Sequence, residues 1–192
     1  DDWLLIHHVF ICGKGETPLE VVHALLDAYP DGIRAKTKYG WLPLHLALLY
    51  GGRSISFDII MLLLERYQEA ASIVDGDGYL PLHLAGKCSA PVVKAVIDAY
   101  PAACWRKNDD HLCVPLHNFV KSEANSSALK ILIGEYPKAL FVTDCNGATP
   151  IQWANNKRVM KLLDRLENQF ISQSVINEDN CARLSPTHDD AR

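Results

Sequence analysis

The stretch Leu42-Pro43-Leu44-His45-Leu46-Ala47 returns as Leu80-Pro81-Leu82-His83-Leu84-Ala85 and, in part, as Val114-Pro115-Leu116-His117. Thr149-Pro150-Ile151-Gln152-Trp153-Ala154 is a looser copy, and Leu4-Leu5-Ile6-His7-His8-Val9 is a copy without the proline. The series His7, His45, His83, His117, Gln152 steps by 38, 38, 34 and 35 residues. Self-similarity at a period of roughly 20–50 residues marks an array of small units, each of which buries its core only against its neighbours. A second marker keeps phase with the first. Tyr29, Tyr67, Tyr100 and Tyr136 each close an apolar run, and the next repeat proline follows 14, 14, 15 and 14 residues later.

Each unit reads as helix, loop, helix, extended turn. In the first, Leu4 to Ile11 is a short apolar helix. Thr17-Pro18-Leu19-Glu20 opens a second, with Thr17 as cap and Glu20 completing a capping box. Val21, Leu25 and Ala28 form its apolar stripe, with Val22 and Leu26 beside it. Tyr29-Pro30 ends it, because a residue before proline is pushed out of the α region. Later pairs are expected near 43–50 and 56–67, 81–87 and 90–99, and 115–121 and 126–136, with Ser89 as a cap. A stub near 150–155 precedes a helix over 157–171, whose inward face is Val159, Leu162, Leu163, Leu166 and Phe170. Residues 172–192 are polar, carry no period and read as a tail.

On these residues the chain resembles the ankyrin repeat family over about residues 3–170. Asp75-Gly76-Asp77-Gly78-Tyr79-Leu80-Pro81-Leu82-His83 follows the family's D-x-x-G-x-T-P-L-H turn with Leu80 for Thr, and Asp144-Cys145-Asn146-Gly147-Ala148-Thr149-Pro150 keeps the Thr. Thr37-Lys38-Tyr39-Gly40 keeps only the Gly, and Asn108-Asp109-Asp110-His111-Leu112 has an extra residue and no Gly. The resemblance implies an all-α solenoid of stacked helix-loop-helix units joined by β-hairpin-like turns. Its domain would span 1–171, in units of about 1–33, 34–71, 72–105, 106–140 and 141–171. Within it His7, Pro43, His45, Pro81, His83, Pro115, His117 and Pro150 are structural. Proline suits a first helical position, and each histidine can tie one turn to the next.

Composition excludes several function classes. At 48% apolar and 22% charged residues, the chain is expected to be globular. A net charge of −4 argues against a nucleic-acid binder, and no apolar run reaches a membrane span. It begins at Asp1 rather than Met, which reads as a fragment or processed form. Six cysteines without CxxC spacing fit free thiols of a reducing intracellular compartment, cytoplasmic or nuclear.

Chemical readings of local motifs yield to the repeat. One histidine per unit is too widely spaced to share a metal, and His7-His8 with Cys12 points to different helix faces. Gly13-Lys14-Gly15-Glu16-Thr17 lacks P-loop spacing, and Asp75-Gly76-Asp77-Gly78 lacks the later calcium ligands. No cofactor, metal or catalytic residue is expected.

The family binds partners on its turn tips and on the exposed face of each first helix. Carried over by position, that surface is Trp3, Lys38, Tyr39, Trp41, Leu49, Tyr50, Asp77, Tyr79, Lys87, Asp110, His111 and Lys121, with Cys88 and Cys113 among them. Trp41 and Tyr79 follow the turn and serve either as neighbour packing or as contact residues. The repeat requires no aromatic at Tyr39 or Tyr50, and such side chains are favoured in binding hot spots. Tyr39, Trp41, Tyr50 and Tyr79 are expected to cluster, with Lys38 and Lys87 as a basic rim suited to an acid-flanked peptide. Arg34, Lys36 and Lys38 alternate along one side of the first turn, as a solvated edge or as a seat for an acidic peptide. The expected function is a non-catalytic protein-interaction module. The alternative is the targeting segment of a larger kinase or ubiquitin ligase.

Overall fold

The structure, a computed structural model, describes residues 4–12 and 17–183. Among them no strand occurs and helices come in pairs. The pairs are α1 (Leu5–Cys12) with α2 (Leu19–Ala28), α3 (Pro43–Gly51) with α4 (Phe57–Arg66), α5 (Pro81–Leu84) with α6 (Ala90–Ala99), and α7 (Pro115–Lys121) with α8 (Ser126–Glu135). A 3-10 turn at Pro150–Trp153 and α9 (Lys157–Arg183) follow. First helices stack in one file, α1 on α3 on α5 on α7 on the 150–153 turn. Second helices stack in another, α2 on α4 on α6 on α8. A continuous apolar core runs between the files, from Ile6 and Phe10 through Leu46, Ile60, Leu82, Val96, Phe119 and Leu132 to Leu163.

Proline sets the start of each first helix. Pro43, Pro81, Pro115 and Pro150 all occupy the first turn, where a missing N–H costs nothing. The second helices end on Tyr29, Tyr67, Tyr100 and Tyr136, all near φ −142 to −155 and ψ 79 to 84. Gln68 follows Tyr67, so proline alone does not stop these helices. The shared cause is the next segment, a 3-10 turn that turns two small or apolar residues into the core. These are Gly32 and Ile33, Ala70 and Ala71, Ala103 and Cys104, and Ala139 and Leu140.

Some expectations are corrected. Thr17 does not cap α2; its hydroxyl donates to the Val9 carbonyl at 3.1 Å, joining α1 to the start of α2. The buried stripe of α2 is Val22 and Leu26, which face α1, α4 and the following 3-10 turn, whereas Val21 and Ala28 are exposed. Ser89 takes the cap position of α6 without a side-chain hydrogen bond. The connecting turns are not paired strands. The Thr37 N–H donates to the Trp41 carbonyl at 3.0 Å and the Gly40 N–H to the Thr37 carbonyl at 2.8 Å, which closes a tight turn. Residues 172–183 continue α9, where a tail was expected. No Gly or Pro interrupts 157–183, and a helix once nucleated propagates through residues without such a breaker. Residues 184–192 lie outside the described residues.

Candidate functional site

The repeat histidines tie one unit to the next, with both ring nitrogens bonded in His7, His45 and His83 and only Nε2 bonded in His117. His7, His45, His83 and His117 are buried. In the first three, Nδ1 accepts the backbone N–H three residues earlier, from Leu4, Leu42 and Leu80, at 3.1–3.2 Å. The proton therefore sits on Nε2, which donates to a turn carbonyl of the next unit: Ala35, Tyr79, Cys113 and, for His117, Ala148, at 3.0–3.3 Å. Burial pushes the His45 and His83 pKa values down to about 4 and lowers those of His7 and His117. Gln152 repeats half of this device, its Oε1 accepting the Thr149 N–H at 2.7 Å.

Each turn is organised by its first side chain. Thr37 Oγ1 accepts the Tyr39 and Trp41 N–H groups, and Asp75 Oδ1 accepts those of Asp77 and Tyr79. Asn108 Oδ1 takes the Cys113 N–H, and Asp144 Oδ1 takes those of Asn146 and Ala148. Burial would raise the Asp144 carboxyl, but these N–H groups and the Trp153 indole outweigh it and hold the carboxyl below its ordinary range. Gly40, Gly78 and Gly147 supply the positive φ of 77–78°. In the longer Asn108 turn the slot falls to Leu112, at φ 52°, an unfavourable conformation for a side chain with a Cβ.

The expected contact residues divide into separate groups. Leu49, Lys87 and Lys121, drawn from three successive first helices or their ends, line one groove of about 540 Å³ with Leu84 and Asn118. At its floor Gly86 lies against Phe119 of α7 and Ser122; a Cβ there would stand 2.1 Å from Ser122 Oγ. Lys121 holds its ammonium 5.3 Å from the Trp153 ring centroid, so its charge is positioned. Glu123, in a left-handed conformation at φ 55°, also lines the groove; as an acidic residue in a short loop it carries no periodic signal. His83 contributes to the wall, but both its nitrogens are occupied.

Tyr39 and Trp41 form a second group, with ring centroids 5.1 Å apart and Lys38 Nζ 5.0 Å from the Tyr39 ring. Arg34, Lys36 and Lys38 are all exposed beside them, with Arg34 over the Tyr67 ring at 4.8 Å. Tyr79 is half-buried, edge-on to His83 at 5.7 Å. Burial pushes its phenol up to about 12. Tyr50 stands at the far end of α3, about 10 Å along the helix from Pro43, so the four aromatics do not make one cluster. Asp77, Asp110 and His111 are exposed at tips, with His111 Nε2 3.0 Å from Asp110. Cys88 and Cys113 are not surface residues: they are buried, and burial raises their thiol pKa values to about 12 and about 11. Trp3 and the 13–16 segment lie outside the described residues.

A second groove, of about 560 Å³, went unseen in the sequence. It runs along the other file between Phe57, Met61, Pro91 and Ala95. Phe57 is 42% exposed at the start of α4, where a single apolar residue gives no periodic signal. On the charged rim Lys94 binds both Asp98 and Glu135, so the lysine is paired while the carboxylates, with Glu65, outnumber it.

Among the described residues no group of three His, Cys, Asp or Glu is placed to hold a metal ion, and no helix is long and apolar enough to cross a membrane. No family model matches the chain, and no curated protein matches it.

Proposed function

We propose that the chain is an ankyrin-type repeat solenoid that acts as a non-catalytic protein-interaction module. The reading rests on the repeat pattern of the sequence and on one observation above others. Three successive units bring Leu49, Lys87 and Lys121 to a single groove, while the histidines that look chemical are spent on backbone hydrogen bonds. A groove with an apolar wall and two lysines suits a peptide with an apolar anchor and acidic flanks. The exposed Tyr39 ring, packed on the half-buried Trp41 with Lys38 beside it, offers a second, separate contact patch.

The test is affinity capture with the intact chain, beside a Lys87→Glu/Lys121→Glu variant of unchanged melting temperature. Proteins retained by the first and lost by the second support the reading. Recovery of the same set by both, or of none by either, rejects it.

A further inference from the structure

We propose that Cys113 and Cys145 form an oxidisable dithiol, which a hydroperoxide converts to a disulfide bridging two consecutive turn tips. One carbonyl oxygen links the two residues. His111 O accepts the Cys145 N–H at 2.9 Å and the Cys113 thiol at 3.6 Å. The direction of the Cys145 side chain follows from the equivalent pair of turns earlier in the chain. There the Gly76 N–H donates to the Tyr39 carbonyl at 2.9 Å, and a Cβ built on Gly76 stands 2.9 Å from that same oxygen. The second residue of a turn thus aims its Cβ at the preceding tip. Cys145 holds that slot, one hydrogen bond from the carbonyl oxygen that the Cys113 thiol also meets.

The two thiols differ in access. Cys145 is exposed, whereas Cys113 is 1% exposed. Cys113 is also anchored, its carbonyl accepting from Asn108 N–H and His83 Nε2 and its N–H donating to Asn108 Oδ1. The remaining adjustment falls to the tip of the 108–113 turn. This turn spans one residue more than the others and contains the exposed Leu112 at φ 52°.

The chemistry runs in two steps. Cys145 attacks the hydroperoxide, the O–O bond breaks, sulfur is oxidised by two electrons to the sulfenic acid, and the peroxide leaves as the alcohol or water. The Cys113 sulfur then attacks the sulfenic sulfur. An S–S bond forms, the S–O bond breaks, and hydroxide leaves with the Cys113 proton as water. Burial pushes the Cys113 thiol up to about 11, so it is not the first to react, and closure quickens as pH rises.

The experiment is hydrogen peroxide treatment of the folded chain, then alkylation and peptide mapping without reductant. A Cys113–Cys145 linked peptide is expected, absent from Cys145→Ser and Cys113→Ala. Cys113→Ala should instead accumulate a dimedone-reactive sulfenic acid at Cys145. A melting temperature raised by about 5–10 °C, reversed by reductant, should accompany the link, which closes a loop of roughly 30 residues. Cys145→Ser changes an exposed side chain, so it remains informative if Cys113→Ala folds poorly. Oxidation of Cys145 in the folded wild type with Cys113 recovered as a free thiol would overturn the proposal. So would oxidation of the exposed Cys12 with Cys145 untouched.

Discussion

Trp41 donates its indole Nε1–H to Asp75 Oδ2 at 3.0 Å, so one aspartate organises its own turn and holds the preceding one. The carboxylate is nearly full: its other oxygen accepts the Asp77 and Tyr79 N–H groups. Asp75→Ala removes both acceptor oxygens, and with them three hydrogen bonds, from a largely buried position and should cost about 2–4 kcal/mol. Urea unfolding measures it. A cost below about 0.5 kcal/mol would mean that the inter-turn bond carries no net stability.

Acid should weaken the fold before the carboxylates titrate. Burial sets His45 and His83 at about 4 in the folded chain, against about 6.5 when unfolded. Between these values the unfolded chain binds more protons. The stability is therefore complete above pH ~6.5 and is lost as pH falls toward 4, by on the order of 2 kcal/mol for each histidine. His83→Gln copies the Gln152 arrangement and should flatten part of that slope. Urea midpoints of both proteins at pH 7 and pH 5 make the comparison, and an equal slope for both would reject this origin.

Leu112→Gly should stabilise the chain by about 1 kcal/mol, since it relieves a left-handed conformation at a residue 46% exposed. Gly78→Ala should do the opposite, by about 1–3 kcal/mol. It adds strain at φ 78° and places a Cβ 2.5 Å from the Asp109 nitrogen. Thermal melts of the two variants should move in opposite directions.

The last helix closes the core. Leu163 is fully buried and Val159 nearly so, while Phe170 stacks at 5.9 Å from Phe141. Leu163→Ala should cost about 2–4 kcal/mol, and removal of 157–183 should lower the melting temperature or cause aggregation. An unchanged melt after removal would show that α9 does not cap the stack.

With a partner in hand, Tyr39→Ala and Tyr50→Ala report on separate patches. Each is expected to weaken binding by about 1–3 kcal/mol while the exposed ring's loss leaves folding nearly intact. Lys38→Glu should slow association, with the effect fading at high salt. Normal binding by all three, with loss on changing Phe57 or Met61, would move the interface to the other groove.

Much of the local architecture could be read from residue types alone. Proline without its N–H marks where a helix starts, and glycine marks where a turn needs positive φ. A histidine three residues after a Leu can satisfy a backbone donor at the helix start. These are properties of a few consecutive residues, and Pro43, Gly78 and His83 behave accordingly. The sequence by itself also determined the order of the units, because their markers keep a near-constant separation.

Which face of an element meets a neighbour is decided only when the neighbour is in place. The pattern of α2 allowed Val21 or Val22 inward, and α1 and α4 selected Val22. Cys113 follows its turn as Tyr79 does, and the two backbones make the same three hydrogen bonds, yet Cys113 is buried and Tyr79 only half-buried. The groove of Leu49, Lys87 and Lys121 exists only through stacking. Gly86 meets Phe119 of α7 there, a contact between residues far apart in the chain, and local sequence carries no record of such a distance.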